Sequence, residues 1–183
     1  MTVYKNTGLV IEGGGFRAIF VAAVLEVLQQ QDIFFSYTVG VSAGAAYGAS
    51  YITKQQGRNL QTNYLINNPD YCGVKHLLKN GNYFNWEYIY KTIPTGIIPL
   101  NYDTLKLSET KFEVAVTNCQ TGTPFYFNAN TNNSDILRDL LTATSSLPFI
   151  AKPKNINSNI YFDGGLADAI PVKHALQQNN SRV

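Results

Sequence analysis

The five residues Gly40-Val41-Ser42-Ala43-Gly44 constrain this chain more than any other stretch. They join Tyr37 to Val41, which reads as a strand, to Ala43 through Ser50, whose small side chains suit a helix packed close to its neighbours. A serine between two glycines at a strand-to-helix junction describes a strained turn. The turn holds the hydroxyl proud of the sheet, and a Cβ at either glycine position would clash. Chance also supplies the pattern, in roughly one chain in twenty of this length given the usual Gly and Ser frequencies. Its placement between strand-like and helix-like segments makes Ser42 a candidate nucleophile.

The remaining pattern alternates in the same way. Gly8 to Glu12 reads as a buried strand running into Gly13-Gly14-Gly15, and Phe16 to Leu28 as a helix. Apolar residues occupy nearly every face of that helix's first turns, which predicts burial against a sheet. Lys75 to Lys79 suggests a short helix, while Pro94, Pro99 and the Gly-Asn steps around Gly81 should break any long element. Phe112 to Thr117 and Thr123 to Asn128 alternate around Thr121-Gly122 as a hairpin. Ser134 is positioned to cap a helix through Ala143, Asn159 to Phe162 is a strand ending in Asp163-Gly164-Gly165, and Pro171 opens a last helix. Strands alternating with helices predict an α/β protein: a three-layer α/β/α sandwich with a mostly parallel central sheet. We expect a single domain over 1–183, with about 55–102 as a cap-like or substrate-facing insertion. The chain ends 20 positions after Asp163, where a further strand and helix would be expected, so a C-terminally shortened version of the sheet is anticipated.

Composition narrows the function. Charged residues make up 14% and hydrophobic ones 45%, and the net charge is +2 with Lys and Arg scattered singly. This excludes a disordered tail or coiled coil and leaves no basic stripe for nucleic acid. The two cysteines, Cys72 and Cys119, have no metal-like or disulfide-like spacing, so a reducing compartment is the simpler reading. No signal segment is expected, since none is visible before Gly13, and the weakly polar stretch Val39 to Ile52 is too short to span a bilayer. A cytoplasmic protein is expected, with room for peripheral contact at a membrane. No D-x-D-x-D-G loop is present to hold calcium, and neither a metal nor a cofactor is expected.

Two further motifs carry chemistry, each with competing readings. Gly13-Gly14-Gly15-Phe16-Arg17-Ala18 fits the dinucleotide fingerprint G-x-G-x-x-A. It also fits a glycine turn that presents backbone N–H groups to a developing oxyanion, the reading preferred here, with a plain helix-entry turn as the third option. The nucleotide reading wants an acid at the end of the second strand, where Val39-Gly40-Val41-Ser42 stands instead; Asp32 comes too early. Tyr161-Phe162-Asp163-Gly164-Gly165 places a carboxylate at a strand end, although an Asp-Gly turn is a common structural feature.

Together, Gly13 to Arg17, Gly40 to Gly44 and Asp163 to Gly165 resemble the patatin-like phospholipase family, whose signature is G-G-G-x-R-G, then G-x-S-x-G, then D-G-G or D-G-A. The likeness is closest to its small bacterial members and extends to Val116–Gly122, Thr142–Pro148 and Ala169–Val172. Ala18 departs from the signature's last glycine, and family members usually run further at the C-terminus. The resemblance implies a lipid acyl hydrolase working through a Ser–Asp dyad. Ser42 would be the nucleophile, Asp163 the general base and Gly13, Gly14 and Gly15 the oxyanion hole. Gly40, Gly44 and Gly164 would support the turns. Arg17 would steady the glycine loop or meet a lipid phosphate, with an ion pair to Glu12 as the plainer alternative. A phospholipid or other acyl ester is the implied partner.

Two rivals stand beside the dyad. Ser42, Asp163 and His174 occur in the order of a Ser–His–Asp esterase, yet His174 falls within the Pro171 helix, eleven positions after Asp163. His76 lies in the middle region and suits a surface or core role. A non-catalytic lipid- or acyl-binding module of the same fold is the second rival. For the substrate, Tyr83, Phe84, Trp86, Tyr88 and Tyr90, with Ile97-Ile98-Pro99-Leu100, either line an acyl groove, touch a membrane interface or close the core beneath a loop.

Overall fold

The computed structural model describes residues 2–183. Its frame is a six-stranded mixed sheet: β1 (Thr2–Ile11), β2 (Ile33–Val41), β3 (Lys111–Asn118), β4 (Pro124–Asn128), β5 (Lys154–Ile156) and β6 (Asn159–Asp163). The three longest strands, β1, β2 and β3, run parallel, and the order is β1-β2-β3-β6-β5 with β4 also paired to β3. β4 forms the anticipated hairpin with β3 across Thr121-Gly122. β5 and β6 form a second hairpin whose turn residues, Asn157 and Ser158, both take positive φ as a tight two-residue turn requires.

Parity along β2 and β3 divides the side chains between two faces. Phe112, Val114 and Val116 join the larger core, packed beneath α1 (Ile19–Gln30), α2 (Ala43–Ile52), α5 (Tyr102–Leu107) and α6 (Ser134–Thr144). Tyr37, Val39, Val41 and Ala115 point the other way, and there α7 (Val172–Gln177) covers them through Ala175. Helices thus flank the sheet on both sides, thickly on one and thinly on the other. Beyond α7 the tail returns to β1, where Gly8 N donates to Arg182 O at 2.9 Å.

Several expectations are corrected. The first helix is preceded by a 3₁₀ turn, Gly15–Ala18, and buries only one stripe: Ala22, Leu25, Glu26 and Gln29. The stripe facing away is apolar and exposed, with Phe20 at 74% and Val27 at 56%. One side of α1 meets α2, the sheet and the segment that enters the next helix, where Gly57 N donates to Glu26 Oε2 at 2.8 Å, and among the described residues no helix or strand covers the opposite stripe. The cap of α6 is Asn133 rather than Ser134: its Oδ1 accepts from Asp135 N and Ile136 N. Pro94 does not break the middle region. It sits inside a ten-residue π-helix, Tyr88–Ile97, whose wider turn avoids the i−4 carbonyl that a proline ring strikes in an α-helix. The middle region also holds α3 (Arg58–Tyr64) and α4 (Val74–Asn80).

Candidate active site

Strand register brings the two main candidates together. β2 runs parallel to β3 and ends with Val41 opposite Ala115; β6 runs antiparallel and ends with Asp163 opposite Val116. β4 pairs with β3 over both of those positions, from Glu113 to Thr117, so it occupies one edge of β3. β2 and β6 must therefore share the other edge, running head-on. Their ends meet within one residue of register, and Ser42 follows Val41 at that junction.

Ser42 takes φ 53° and ψ −128°, outside the regions a serine ordinarily adopts. Close packing enforces this turn. A Cβ on Gly40 would lie 2.5 Å from Ala45 Cα, and one on Gly44 would run into the carbonyl oxygens of Glu12 and Ile11. A Cβ on Gly164 would strike Ala115 O, and one on Gly13 would come within 2.8 Å of Ser42 Cβ. The turn is further pinned by Thr144, a fully buried residue whose Oγ1 accepts from Ser42 N at 2.8 Å and donates to Ala115 O. Thr117 does similar work for the Asp163 turn, donating to Asp163 O at 2.8 Å and accepting from Ala167 N at 3.2 Å. Neither threonine was singled out from the sequence. A buried hydroxyl beside a strand end leaves no periodic trace.

Asp163 is 2% exposed. Burial raises its carboxyl pKa above the ordinary aspartate value, and this effect outweighs two that lower it. These are the amide of Gly165, donating to Oδ1 at 2.8 Å, and the neighbouring Ser42 hydroxyl. The close, well-aligned bond is the one from Gly165.

A cavity of about 1080 Å³, counting its open mouth, starts at Gly15 and Ser42. Its walls come from α2, α3, the π-helix and α6, and are mostly apolar. Phe84, Trp86, Tyr90 and Leu100 stand in this wall, so part of the aromatic segment lines a groove. The rings form a continuous series, Phe16 tilted against Phe84 at 5.7 Å, then Phe84 stacked on Trp86 at 5.2 Å and Trp86 on Tyr90 at 5.6 Å, which ties the glycine loop to the middle region. Tyr83 instead packs edge-on against Phe84, and the Tyr88 hydroxyl accepts from Asn68.

Gly15 adopts φ +54°, which favours glycine there. Arg17 is exposed and pairs with no carboxylate among the described residues, Glu12 included; its backbone N–H closes the turn on Gly14 O at 3.1 Å. His174 lies elsewhere. Its Nε2 is 2.7 Å from Glu113 Oε2 and its ring stacks on Tyr126, on the α7 side of the sheet. His76 is a half-buried residue whose Nε2 lies 3.4 Å from Pro69 O. Among the described residues, no group of three or more His, Cys, Asp or Glu could hold a metal ion.

A strained serine between close-packed glycines, at the end of a parallel strand and beside a cavity, defines the nucleophile-elbow class of α/β proteins. The family model for patatin-like phospholipase matches residues 9–176. The chain belongs to that family. It is 31% identical over 177 residues to the uncharacterized protein YjjU of Escherichia coli strain K12, covering 93% of this chain and 48% of that protein. It therefore spans about half the length of the curated relative it matches. Among solved structures, VipD from Legionella pneumophila has the same fold at TM-score 0.50 and 16% identity, over 90% of this chain and 47% of that one.

Proposed function

We propose that this chain is a lipid acyl hydrolase in which Ser42 and Asp163 form a catalytic dyad. The observation that carries the reading is the head-on meeting of β2 and β6, which sets a strained serine beside a buried carboxylate at the mouth of an apolar cavity. Membership of a family described as phospholipases supports the ester substrate.

In this mechanism Ser42 Oγ attacks the ester carbonyl as its proton passes to Asp163. The resulting oxyanion is met by amides of the Gly13–Gly15 loop, a type of contact worth about 10²–10³ in rate per donor in other serine hydrolases. Asp163 returns the proton to the departing alcohol and leaves an acyl-Ser42. It then accepts a proton from a water molecule as that water's oxygen attacks the acyl carbon, and passes the proton to Ser42 Oγ as the acyl–Oγ bond breaks, which releases the carboxylic acid and restores the serine. The raised pKa of Asp163 makes it a stronger base than a solvated aspartate. His174, engaged with Glu113, has no part in this scheme. A lipid surface is the natural source of substrate, since Phe16 and Leu147 at the cavity wall are half exposed and Phe149, two positions further on, is 99% exposed.

A fluorophosphonate probe and a p-nitrophenyl ester test the reading. Wild type should be labelled and should hydrolyse the ester, and Ser42→Ala should do neither while remaining folded. Labelling that survives in Ser42→Ala refutes the nucleophile; no labelling of the folded wild type leaves a non-catalytic acyl-binding module.

A further inference from the structure

The cavity that opens at Ser42 follows one face of α2. Ala43, Ala46 and Ala49 line it at helical spacing, and Arg58 stands further along the same wall, its Nη1 donating to Ser50 Oγ at 2.7 Å. Ser50 lies eight positions past Ser42 on that helix, which at ~1.5 Å per residue sets the guanidinium roughly 12 Å beyond the nucleophile.

Arg58 is 8% exposed and has no carboxylate partner among the described residues. Its protein bonds all go to neutral oxygens: Ser50 Oγ, Pro99 O at 3.2 Å from Nε, and Ile98 O at 3.0 Å from Nη2. A guanidinium has five N–H donors, so each terminal nitrogen keeps one outside these bonds. The cavity's other arginine, Arg138, is by contrast paired with Asp135 at 2.9 Å and with Asp139 at 3.5 Å. Loss of solvent pulls the Arg58 pKa down to about 10, the mark of a buried cation short of counter-charge. Trp86 Nε1 is a second buried donor in the same wall without an acceptor. Polar groups left unmatched in an apolar cavity are where a ligand's polar group belongs.

We propose that the far end of the Ser42 cavity is a subsite for a carboxylate at the distal end of a substrate's acyl chain, with Arg58 as its counter-charge. The assignment rests on Ser42 as nucleophile, since only then does the 12 Å span measure an acyl chain. At roughly 1.3 Å per carbon in an extended chain, the span fits about nine carbons. A lipid's own headgroup phosphate lies only a few bonds from its ester, too close to reach Arg58. Asn59 Oδ1, also buried in this wall without a donor, makes a hydroxyl-terminated chain the competitor to exclude.

The chain has one tryptophan, Trp86, and it lines the cavity, so its fluorescence reports binding. Ser42→Ala protein, which keeps Arg58, is titrated with monomethyl nonanedioate, methyl nonanoate and methyl 9-hydroxynonanoate. The carboxylate ligand should bind about 10- to 100-fold more tightly than methyl nonanoate, the range a charge-assisted hydrogen bond supplies. Adding Arg58→Gln should shrink that preference to within about threefold, and adding Arg58→Lys should keep part of it. Equal binding of the three ligands, or tightest binding of the hydroxyl ligand, overturns the proposal. Because Arg58 also ties the 98–99 segment to α2, the ratio between ligands is the quantity read. A merely structural role lowers all affinities and leaves the ratio unchanged. The readout needs no turnover, so carboxylate preference without fluorophosphonate labelling of wild type refutes the dyad alone, and labelling without preference refutes the subsite alone.

Discussion

In the proposed dyad Asp163 would serve as a base because its carboxylate is less comfortable where it sits than it would be in water. Its folded pKa lies above the unfolded value, so between the two the native state holds more protons than the unfolded chain. The sign follows: this group favours the folded state most at low pH, and its contribution is lost as pH rises through the folded pKa. Asp163→Asn keeps an acceptor for the Gly165 amide but removes the buried charge. Ester turnover should fall by about 10²–10⁴, the usual worth of a general base, while the melting temperature at neutral pH stays level or rises. A melting temperature that drops along with activity makes Asp163 a structural residue only. In the wild type, kcat/KM should lose its acid limb at a pH above the ordinary aspartate range. Thr144 acts on the other partner, since its hydroxyl is the acceptor for the strained Ser42 amide. Thr144→Val keeps the shape and strands that amide, at a cost of about 1–3 kcal/mol in urea denaturation. The loss in kcat should exceed the loss in KM, because the elbow and not the cavity is loosened.

At the level of elements, legibility tracks how directly a backbone constraint selects a residue type. β2, its serine turn and α2 were readable because the packing at Gly40 and Gly44 admits no side chain, and the same holds for Gly164 behind Asp163. The β3–β4 hairpin showed itself through alternation around Thr121-Gly122. The π-helix was not readable, since Pro94 ordinarily ends a helix and nothing local announces an i→i+5 ladder. The three-residue β5 is too short to carry a period. Nor could sequence tell that only one stripe of α1 is covered, because a buried helix and a helix with an unshielded apolar face show the same composition. That outer face has a consequence for substrate access. Phe20 on α1 and Phe149 beside the cavity rim are exposed and outside the dyad and glycine loop. Changing both to serine should leave stability within about 0.5 kcal/mol, as for ordinary surface positions, and leave hydrolysis of a short soluble ester unchanged. Sedimentation with phospholipid vesicles should fall sharply; unchanged sedimentation removes these side chains from the membrane-facing surface.

For the molecule as a whole, the thinly covered face of the sheet carries one carboxylate with several partners beside its small apolar cluster. On the α7 side, Glu113 accepts from the Tyr37 hydroxyl at 2.5 Å, lies 2.7 Å from His174 Nε2 and pairs with Lys111 at 2.7 Å. Burial alone would raise its pKa, but the bonds from Lys111, Tyr37 and His174 together reverse that and hold it below the usual glutamate value. This sign is opposite to that of Asp163. A depressed pKa means the unfolded chain binds the proton more readily, so Glu113 stabilises the fold above its unfolded pKa, and the stabilisation is lost as pH falls through the folded one. The two carboxylates therefore pull the pH dependence of folding in opposite directions, one serving the site and the other the layer that backs it. Glu113→Gln should lower stability at neutral pH by about 1–3 kcal/mol, the worth of hydrogen bonds to a charged group. It should also flatten the loss of stability on acidification, whereas Asp163→Asn should steepen it. Urea midpoints for both variants and wild type, measured from about pH 4 to 7, distinguish these outcomes. Curves that change slope in the same direction for both substitutions refute the division of labour between the two sides of the sheet.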